Sequence, residues 1–236
     1  LETLVKPEQI SRVTLYSTAR PSNQFYAFAK RLIDIACASA ALICFAPLIL
    51  ICMALIAIES PGAPLFLQRR TGKNGRVFVI YKLRSMFKDT ESASFRTVNN
   101  DHRLTEVGKF LRRTNIDELP QLINIIKGDM SIIGPRPLSV VETQYVRKNL
   151  NISSDWPGFF PTCAPGLIGL EQVSRSRALT YQERFKLNHV YETSISAGMD
   201  WQILMRSTQV CRAVWLLTIG GGVAAVTALL AFCRFN

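Results

Sequence analysis

From residue 30 to residue 58 the sequence reads K-R-L-I-D-I-A-C-A-S-A-A-L-I-C-F-A-P-L-I-L-I-C-M-A-L-I-A-I. Apart from Asp34, nothing charged follows Lys30 and Arg31 until Glu59. As one straight helix, Leu32 to Ile58 would extend roughly 40 Å, well over a hydrocarbon core of about 30 Å. Pro47 stands near the middle, where it removes a helical hydrogen bond and clashes with the preceding turn. Lys30 and Arg31 precede the block while Arg69, Arg70 and Lys73 follow it, so both ends are basic. Basic flanks favour the cytoplasmic side, and here they favour it at both ends. A helix broken at Pro47 that enters one leaflet and returns satisfies length and charge together. The alternative is a plain spanning helix with a proline kink.

The rest of the chain is organised outward from this block. Residues 1–24 are polar and aperiodic, which reads as a mobile tail, and they lack the pattern of a cleaved signal peptide. Pro64 to Gln68 and Arg76 to Leu83 are short β-branched or aromatic runs around Gly72-Lys73-Asn74-Gly75, predicting a hairpin. Phe87 to Asn100 is polar and of mixed charge, as a lid would be. Leu104, Val107, Phe110 and Leu111 recur at helical spacing within 101–113. A further helix is expected from Leu179 to Tyr191, with Phe185, Leu187 and Val190 inward. Trp201 to Arg212 mixes aromatic and aliphatic residues with Arg206 and Arg212, as a helix on an acidic membrane surface does. Ala213 to Cys233 carries no charge, and reads as membrane-inserted or, alternatively, interfacial.

Composition bounds the function. The chain has 236 residues, 48% of them hydrophobic, and a net charge of +11. That balance calls for an anionic partner: a phosphorylated substrate or an acidic membrane leaflet. Nucleic acid is disfavoured, because no basic run interleaves with aromatics. The six cysteines form no C-x-x-C pair and read as small apolar residues in a reducing compartment. Asn151-Ile152-Ser153 is a formal sequon, of a kind frequent by chance.

Chemistry concentrates in 115–137, N-I-D-E-L-P-Q-L-I-N-I-I-K-G-D-M-S-I-I-G-P-R-P. Pro120 suits the first turn of a helix, which puts Asp117 and Glu118 at its entrance. Acids there can be capping residues, favoured by free N–H groups and the helix dipole. Two adjacent acids exceed what a cap requires, however, and Arg112, Arg113, Lys127 and Arg136 bracket them. Gly134-Pro135-Arg136-Pro137 would hold an arginine on a stiff turn, suited to forked phosphate recognition. An anionic aspartate can be a nucleophile, and its neighbour can hold Mg²⁺.

These residues, in this order, resemble the bacterial sugar transferase family of monotopic phosphoglycosyl transferases. The resemblance runs from about Ala29 to Leu204. It takes in Lys30-Arg31, Asp34 and Pro47; Gln68, Arg70, Gly72, Phe78, Tyr81-Lys82 and Met86; and Asp101, Arg103, Thr105, Gly108 and Arg112. Asp117 to Leu122, Lys127 to Ser131, Gly134 to Pro137, Pro165-Gly166-Leu167, Gly169 and Gln172-Val173 complete it. The sequence departs from the family pattern at Ala46, where serine is common, at Glu171, usually apolar or aromatic, and at Asn188, often aspartate.

The resemblance implies an α+β, mainly helical monotopic membrane protein with a proline-broken re-entrant helix, a small β-hairpin and amphipathic interfacial helices. Its parts would be a mobile tail (1–24), the membrane helix (25–62), a cytoplasmic or interfacial catalytic domain (63–212) and the C-terminal apolar segment (213–236). The implied reaction carries a phosphosugar from a UDP-sugar to polyprenyl (undecaprenyl) phosphate in two steps, as the priming step of bacterial surface glycan synthesis. Asp117 would be the nucleophile, releasing UMP, and Glu118 with Asp117 would hold Mg²⁺. Arg136, Arg112, Arg70 and Lys82, with Pro135 and Pro137, would bind substrate and phosphate. Lys30, Arg31, Asp34 and Pro47 would set the membrane helix. The implied place is the cytoplasmic face of the bacterial inner membrane, among anionic lipids, and the pattern is compatible with a homo-oligomer. A non-enzymatic basic membrane anchor explains the charge and the apolar blocks, but leaves the acids and the Pro-Arg-Pro turn without a task. A glycosidase is disfavoured, because neighbouring carboxylates at a helix start do not face each other across about 5 Å.

Overall fold

The computed structural model describes residues 24–87, 101–150, 152–174 and 179–207. The expected tail up to residue 23, the lid from residue 88, the sequon asparagine and the apolar segment 213–233 lie outside the described residues.

Helix α1 (Gln24–Glu59) is a single element of 36 residues with Pro47 inside it. The break expected at Pro47 is therefore not an end of helical structure. A proline in a helix interior forfeits one hydrogen bond and strains the turn before it, and here the helix resumes on the far side. By length and mean hydropathy α1 could cross a membrane. Its exposed face carries Phe25, Phe28, Leu32, Ile33, Ile43, Leu50 and Ile58 and no charge. Cys37 and Cys44 share that face, so of the four described cysteines only Cys52 is buried in protein.

All four charged residues of α1 face protein groups instead. Lys30 reaches Asp200, and Arg31 donates to the carbonyls of Ile125 and Ile126. Asp34 accepts from Ser131 and from the backbone of Ile132. Glu59 accepts from the N–H groups of Glu106 and Val107. A charge left in hydrocarbon costs about 3 kcal/mol on insertion scales, and each charged side chain of α1 has a protein partner.

The hairpin follows as expected, with β1 (Leu65–Thr71) and β2 (Val77–Leu83) paired. A 3-10 turn at Lys73–Gly75 joins them, and Asn74 takes the left-handed conformation at φ 51°. Asparagine adopts that region more readily than most residues.

Packing divides the described chain into two compact units. One draws on 37–68 and 80–124. Here Ile49, Cys52 and Ile56, one stripe of α1, meet Leu83 of β2 and Val107, Leu111 and Ile116. Helix α2 (Glu106–Thr114) starts five residues later than periodicity suggested, because Thr105 caps it by accepting from Gly108 N–H. Leu104 instead forms a bridge with Met86. Arg84 closes the end of α1 by donating to Ile56, Ser60 and Pro61 carbonyls.

The other unit draws on 24–36, 69–79 and 125–207. Its centre is a parallel pair the sequence did not announce: β3 (Ser131–Ile133) beside β4 (Gly166–Ile168), with Ser131 opposite Gly166 and Ile133 opposite Ile168. Around it lie α4 (Val140–Asn149), α5 (Leu170–Val173), α6 (Tyr181–Thr193) and α7 (Ala197–Arg206). Leu138, Val146, Ile152, Phe159 and Phe185 form its core, Phe159 and Phe185 with ring centroids 4.9 Å apart. On α6 the inward residues are Phe185, Leu187 and Tyr191, with Val190 only half-buried. Helix α7 begins four residues before the expected Trp201, and 208–212 of that expected helix lie outside the described residues; Trp201 and Met205 are exposed on it.

Candidate active site

Asp117 and Glu118 do not open an α-helix. They sit in a 3-10 turn, Ile116–Gln121, that contains Pro120 and runs directly into α3 (Leu122–Lys127). Asn115, left-handed at φ 58°, ends α2, and its carbonyl accepts from Glu118 N–H at 3.2 Å. The chain therefore tightens before α3, and both acids fall inside the turn with only 8% exposure each.

Buried acids need partners. Lys82 of β2 places its ammonium 2.7 Å from Glu118 Oε1, with both side chains largely buried. Withdrawing one partner of such a pair typically costs about 3–5 kcal/mol, because the other is left buried and unpaired. Strand β2 is itself held by Asn124, whose Oδ1 accepts from Tyr81 N–H at 3.1 Å. Asn124 is fully buried. Its polarity inside the apolar run L-I-N-I-I was the signal for this role, and sequence reasoning passed over it.

Arg112 donates through Nε to Ser85 Oγ at 2.8 Å. Burial works against its charge, and Asp117, Asp101 and Glu118 work for it, which places the guanidinium in the field of the acid pair. Asp101 is gripped by both Nε and Nη2 of Arg103, at 2.8 and 2.6 Å. Those hydrogen bonds hold its carboxyl well below the usual carboxylate range. Asp101, Asp117 and Glu118 are thus balanced by Lys82, Arg103 and Arg112.

That balance decides what the site can accept. A diphosphate entering it would bring negative charge up to the two buried carboxylates. A divalent cation on the two carboxylates would meet that charge, and hard oxygen donors of this kind suit Mg²⁺. Among the described residues no cluster of three or more His, Cys, Asp or Glu side chains could hold a metal. A Mg²⁺ here would complete its shell from phosphate oxygens and water, its usual habit at phosphate-transfer sites.

The other unit brings together Arg70, Pro135, Arg136 and Pro137. Two backbone bonds fix the turn: Gly134 N–H to the Ile168 carbonyl at 3.0 Å, and Gly166 N–H to the Pro135 carbonyl at 2.9 Å. Arg70 donates to the Pro137 carbonyl at 2.9 Å, and Thr71 N–H to that of Leu138. Beside the turn lies a small recess lined by Gly72, Arg136, Thr143, Phe159 and Asn188 among others. Glu171, unusual for its position, is matched by Arg184, whose Nε lies 2.8 Å from Oε2. Arg184 also meets Glu142 at 3.3 Å. Asn188 donates to the Gly158 carbonyl. Of the residues that α1 contributes, Lys30, Arg31 and Asp34 belong to this unit and Pro47 to the other.

Residues 25–213 match the family model described as bacterial sugar transferase. The UDP-N-acetylgalactosamine-undecaprenyl-phosphate N-acetylgalactosaminephosphotransferase of Aeromonas hydrophila is 40% identical over 187 residues, 77% of this chain and 43% of that protein. The exopolysaccharide production protein ExoY of Rhizobium meliloti is 34% identical over 195 residues, 76% of this chain and 83% of that protein. The UDP-glucose:undecaprenyl-phosphate glucose-1-phosphate transferase of Caulobacter vibrioides is 35% identical over 184 residues, 75% and 67%. The chain thus spans less than half the length of the Aeromonas relative and most of the Rhizobium one.

Proposed function

The chain belongs to the bacterial sugar transferase family, and on that footing we propose that it carries a sugar 1-phosphate from a UDP-sugar to polyprenyl phosphate. The observation that carries this reading is the buried acid pair, with Lys82 fixed on Glu118 and the Arg112 guanidinium in the field of both acids. An Asp117 oxygen attacks the phosphorus that bears the sugar. The bond from that phosphorus to the bridging oxygen breaks, and UMP leaves with the electron pair. A polyprenyl phosphate oxygen then attacks the same phosphorus, which returns the Asp117 carboxylate and yields polyprenyl diphosphate sugar. Lys82 holds Glu118 in place, and Arg112 offsets charge gathering on the phosphoryl oxygens. Asp117 and Glu118 are the residues that would hold Mg²⁺, which would supply further charge stabilisation. Arg136, on its stiffened turn, and Arg70 are the donor's phosphate contacts. The product is the lipid-linked first sugar of a surface glycan.

The experiment is UMP release. Membranes bearing the protein, given polyprenyl phosphate, Mg²⁺ and a panel of UDP-sugars, are expected to release UMP with one donor or few. Chelation with EDTA is expected to remove the activity and added Mg²⁺ to restore it. Release from none of the donors would end this reading.

The catalytic parts lie on the cytoplasmic face of the inner membrane, where nucleotide sugars are found. We place α1 re-entrantly, bent at Pro47, with its charge-free face in lipid. Support comes from its ends: Lys30, Arg31 and Asp34 near one, and Glu59 at the other, all bind segments of the chain outside α1. Cysteines introduced at Phe25 and Lys73 are expected to react with an impermeant reagent from the same side. Labelling from opposite sides would establish a spanning helix instead.

A further inference from the structure

The carbonyl of Ile133 is the last group before the Gly134–Pro137 turn, and two buried hydroxyls close on it. Ser131 Oγ lies 3.0 Å away and Tyr191 Oη 3.1 Å away. Each of those hydroxyls also meets a carboxylate. Ser131 Oγ is 2.7 Å from Asp34 Oδ2, and Tyr191 Oη is 2.8 Å from Asp200 Oδ1. The other oxygen of Asp200 receives Tyr26 Oη and Lys30 Nζ, both at 2.7 Å. Tyr26, Lys30 and Asp34 are all first turns of α1, so both routes into the Ile133 carbonyl begin on the membrane helix.

We propose that Tyr191 and Asp200 are positioning residues for Arg136, carrying the placement of the first turns of α1 through Lys30 to the Ile133 carbonyl. The inference rests on the reading of Arg136 as a donor phosphate contact.

The physical argument turns on one proton. The Tyr191 hydroxyl has a single hydrogen and two acceptors in reach, a carboxylate and a carbonyl. An isolated buried carboxylate would draw it away, since charged acceptors bind roughly twice as strongly as neutral ones. Lys30 and Tyr26 offset the Asp200 charge, and so leave the proton shared with Ile133. Tyr191 is 2% exposed, and burial together with the Asp200 charge holds its phenol protonated far above neutral pH. The hydroxyl therefore acts as a donor throughout the physiological range. Past Ile133 the chain has little freedom. Gly134 N–H and the Pro135 carbonyl are both tied to β4, through the Ile168 carbonyl and Gly166 N–H, and two prolines flank Arg136. A small rotation of the Ile133 peptide is thus passed along a stiff segment to the guanidinium rather than absorbed.

The test uses the full chain in native membranes or lipid nanodiscs, with steady-state UMP release against donor concentration. Tyr191→Phe removes one hydroxyl and keeps the ring in the core. It is expected to raise the donor KM on the order of fivefold, the size of one hydrogen bond, with kcat within twofold and the thermal midpoint within a few degrees. Lys30→Met, which leaves Tyr191 intact but lets the Asp200 carboxylate draw the Tyr191 hydrogen bond away from the Ile133 carbonyl, is expected to raise KM in the same sense. Arg136→Ala is run beside them. If it raises KM while Tyr191→Phe and Lys30→Met lower only the thermal midpoint or the active fraction, the network is a strut and the inference is overturned. If Arg136→Ala itself leaves KM unchanged, the phosphate role of Arg136 fails, and this inference with it.

Discussion

Replacing Asp117 by Asn is expected to reduce UMP release by at least about 10³-fold, because loss of a covalent nucleophile removes the pathway rather than slowing it. The substitution is nearly isosteric, and it leaves the local frame untouched. The 3-10 turn is set by Asn115 in the left-handed region and by Pro120, neither of which depends on the Asp117 charge. Lys82 stays on Glu118, and Arg112 keeps its hydrogen bond to Ser85. What changes is the oxygen that attacks: an amide oxygen is a poor nucleophile and does not form the acyl phosphate from which a carboxylate could depart in the second step. Two measurements separate this from a general defect. Intact-protein mass after incubation with donor alone should show a phosphosugar adduct on the wild type and none on the variant. The thermal midpoint should move by only a few degrees. Activity within tenfold of wild type, or an adduct on the variant, would falsify the nucleophile assignment.

The sequence disclosed what depends on nearest neighbours and on long periodicity. The apolar block of α1, the hairpin with its Asn-Gly turn, and the suspect acids of D-E-L-P were all visible. The pairings were not, because they join residues far apart in the chain. Lys82 and Glu118 are 36 positions apart, and Lys30 and Asp200 are 170 apart; no local pattern connects either pair. The β3–β4 pair escaped for another reason. Strands of three residues show no alternation to count, and what draws them together is a backbone approach permitted by two glycines. The 3-10 turn was missed because Pro120 is equally at home in the first turn of an α-helix, and only Asn115 ahead of it decides otherwise. At Pro47 helical structure continues on both sides of the proline, and beyond it Ile49, Cys52 and Ile56 pack with Leu83, Val107 and Leu111, a pairing that no local pattern announces.

Those two glycines set the second large effect. A Cβ at Gly166 would lie 2.1 Å from Gly134 N and 2.6 Å from both its Cα and its carbonyl oxygen. All three are main-chain atoms, so no side chain can swing aside, and β3 and β4 must separate. Separation strains Ser131 N–H to the Pro165 carbonyl, Gly134 N–H to that of Ile168, and Gly166 N–H to that of Pro135 together. Gly166→Ala is therefore expected to destabilise the protein by about 3 kcal/mol, the upper part of the range for overpacking. For a chain of this size that lowers the thermal midpoint by about 6–12 °C. The protein that remains folded should also bind donor poorly, because the turn that follows the displaced β3 carries Arg136. Gly198→Ala provides the contrast: a Cβ there meets nothing within 4 Å, and alanine favours a helix over glycine by up to about 1 kcal/mol. It should leave stability equal or slightly raised, with the donor KM unchanged. Equal behaviour of the two variants, in midpoint and in KM, would mean that the contact between β3 and β4 does not hold the Arg136 turn.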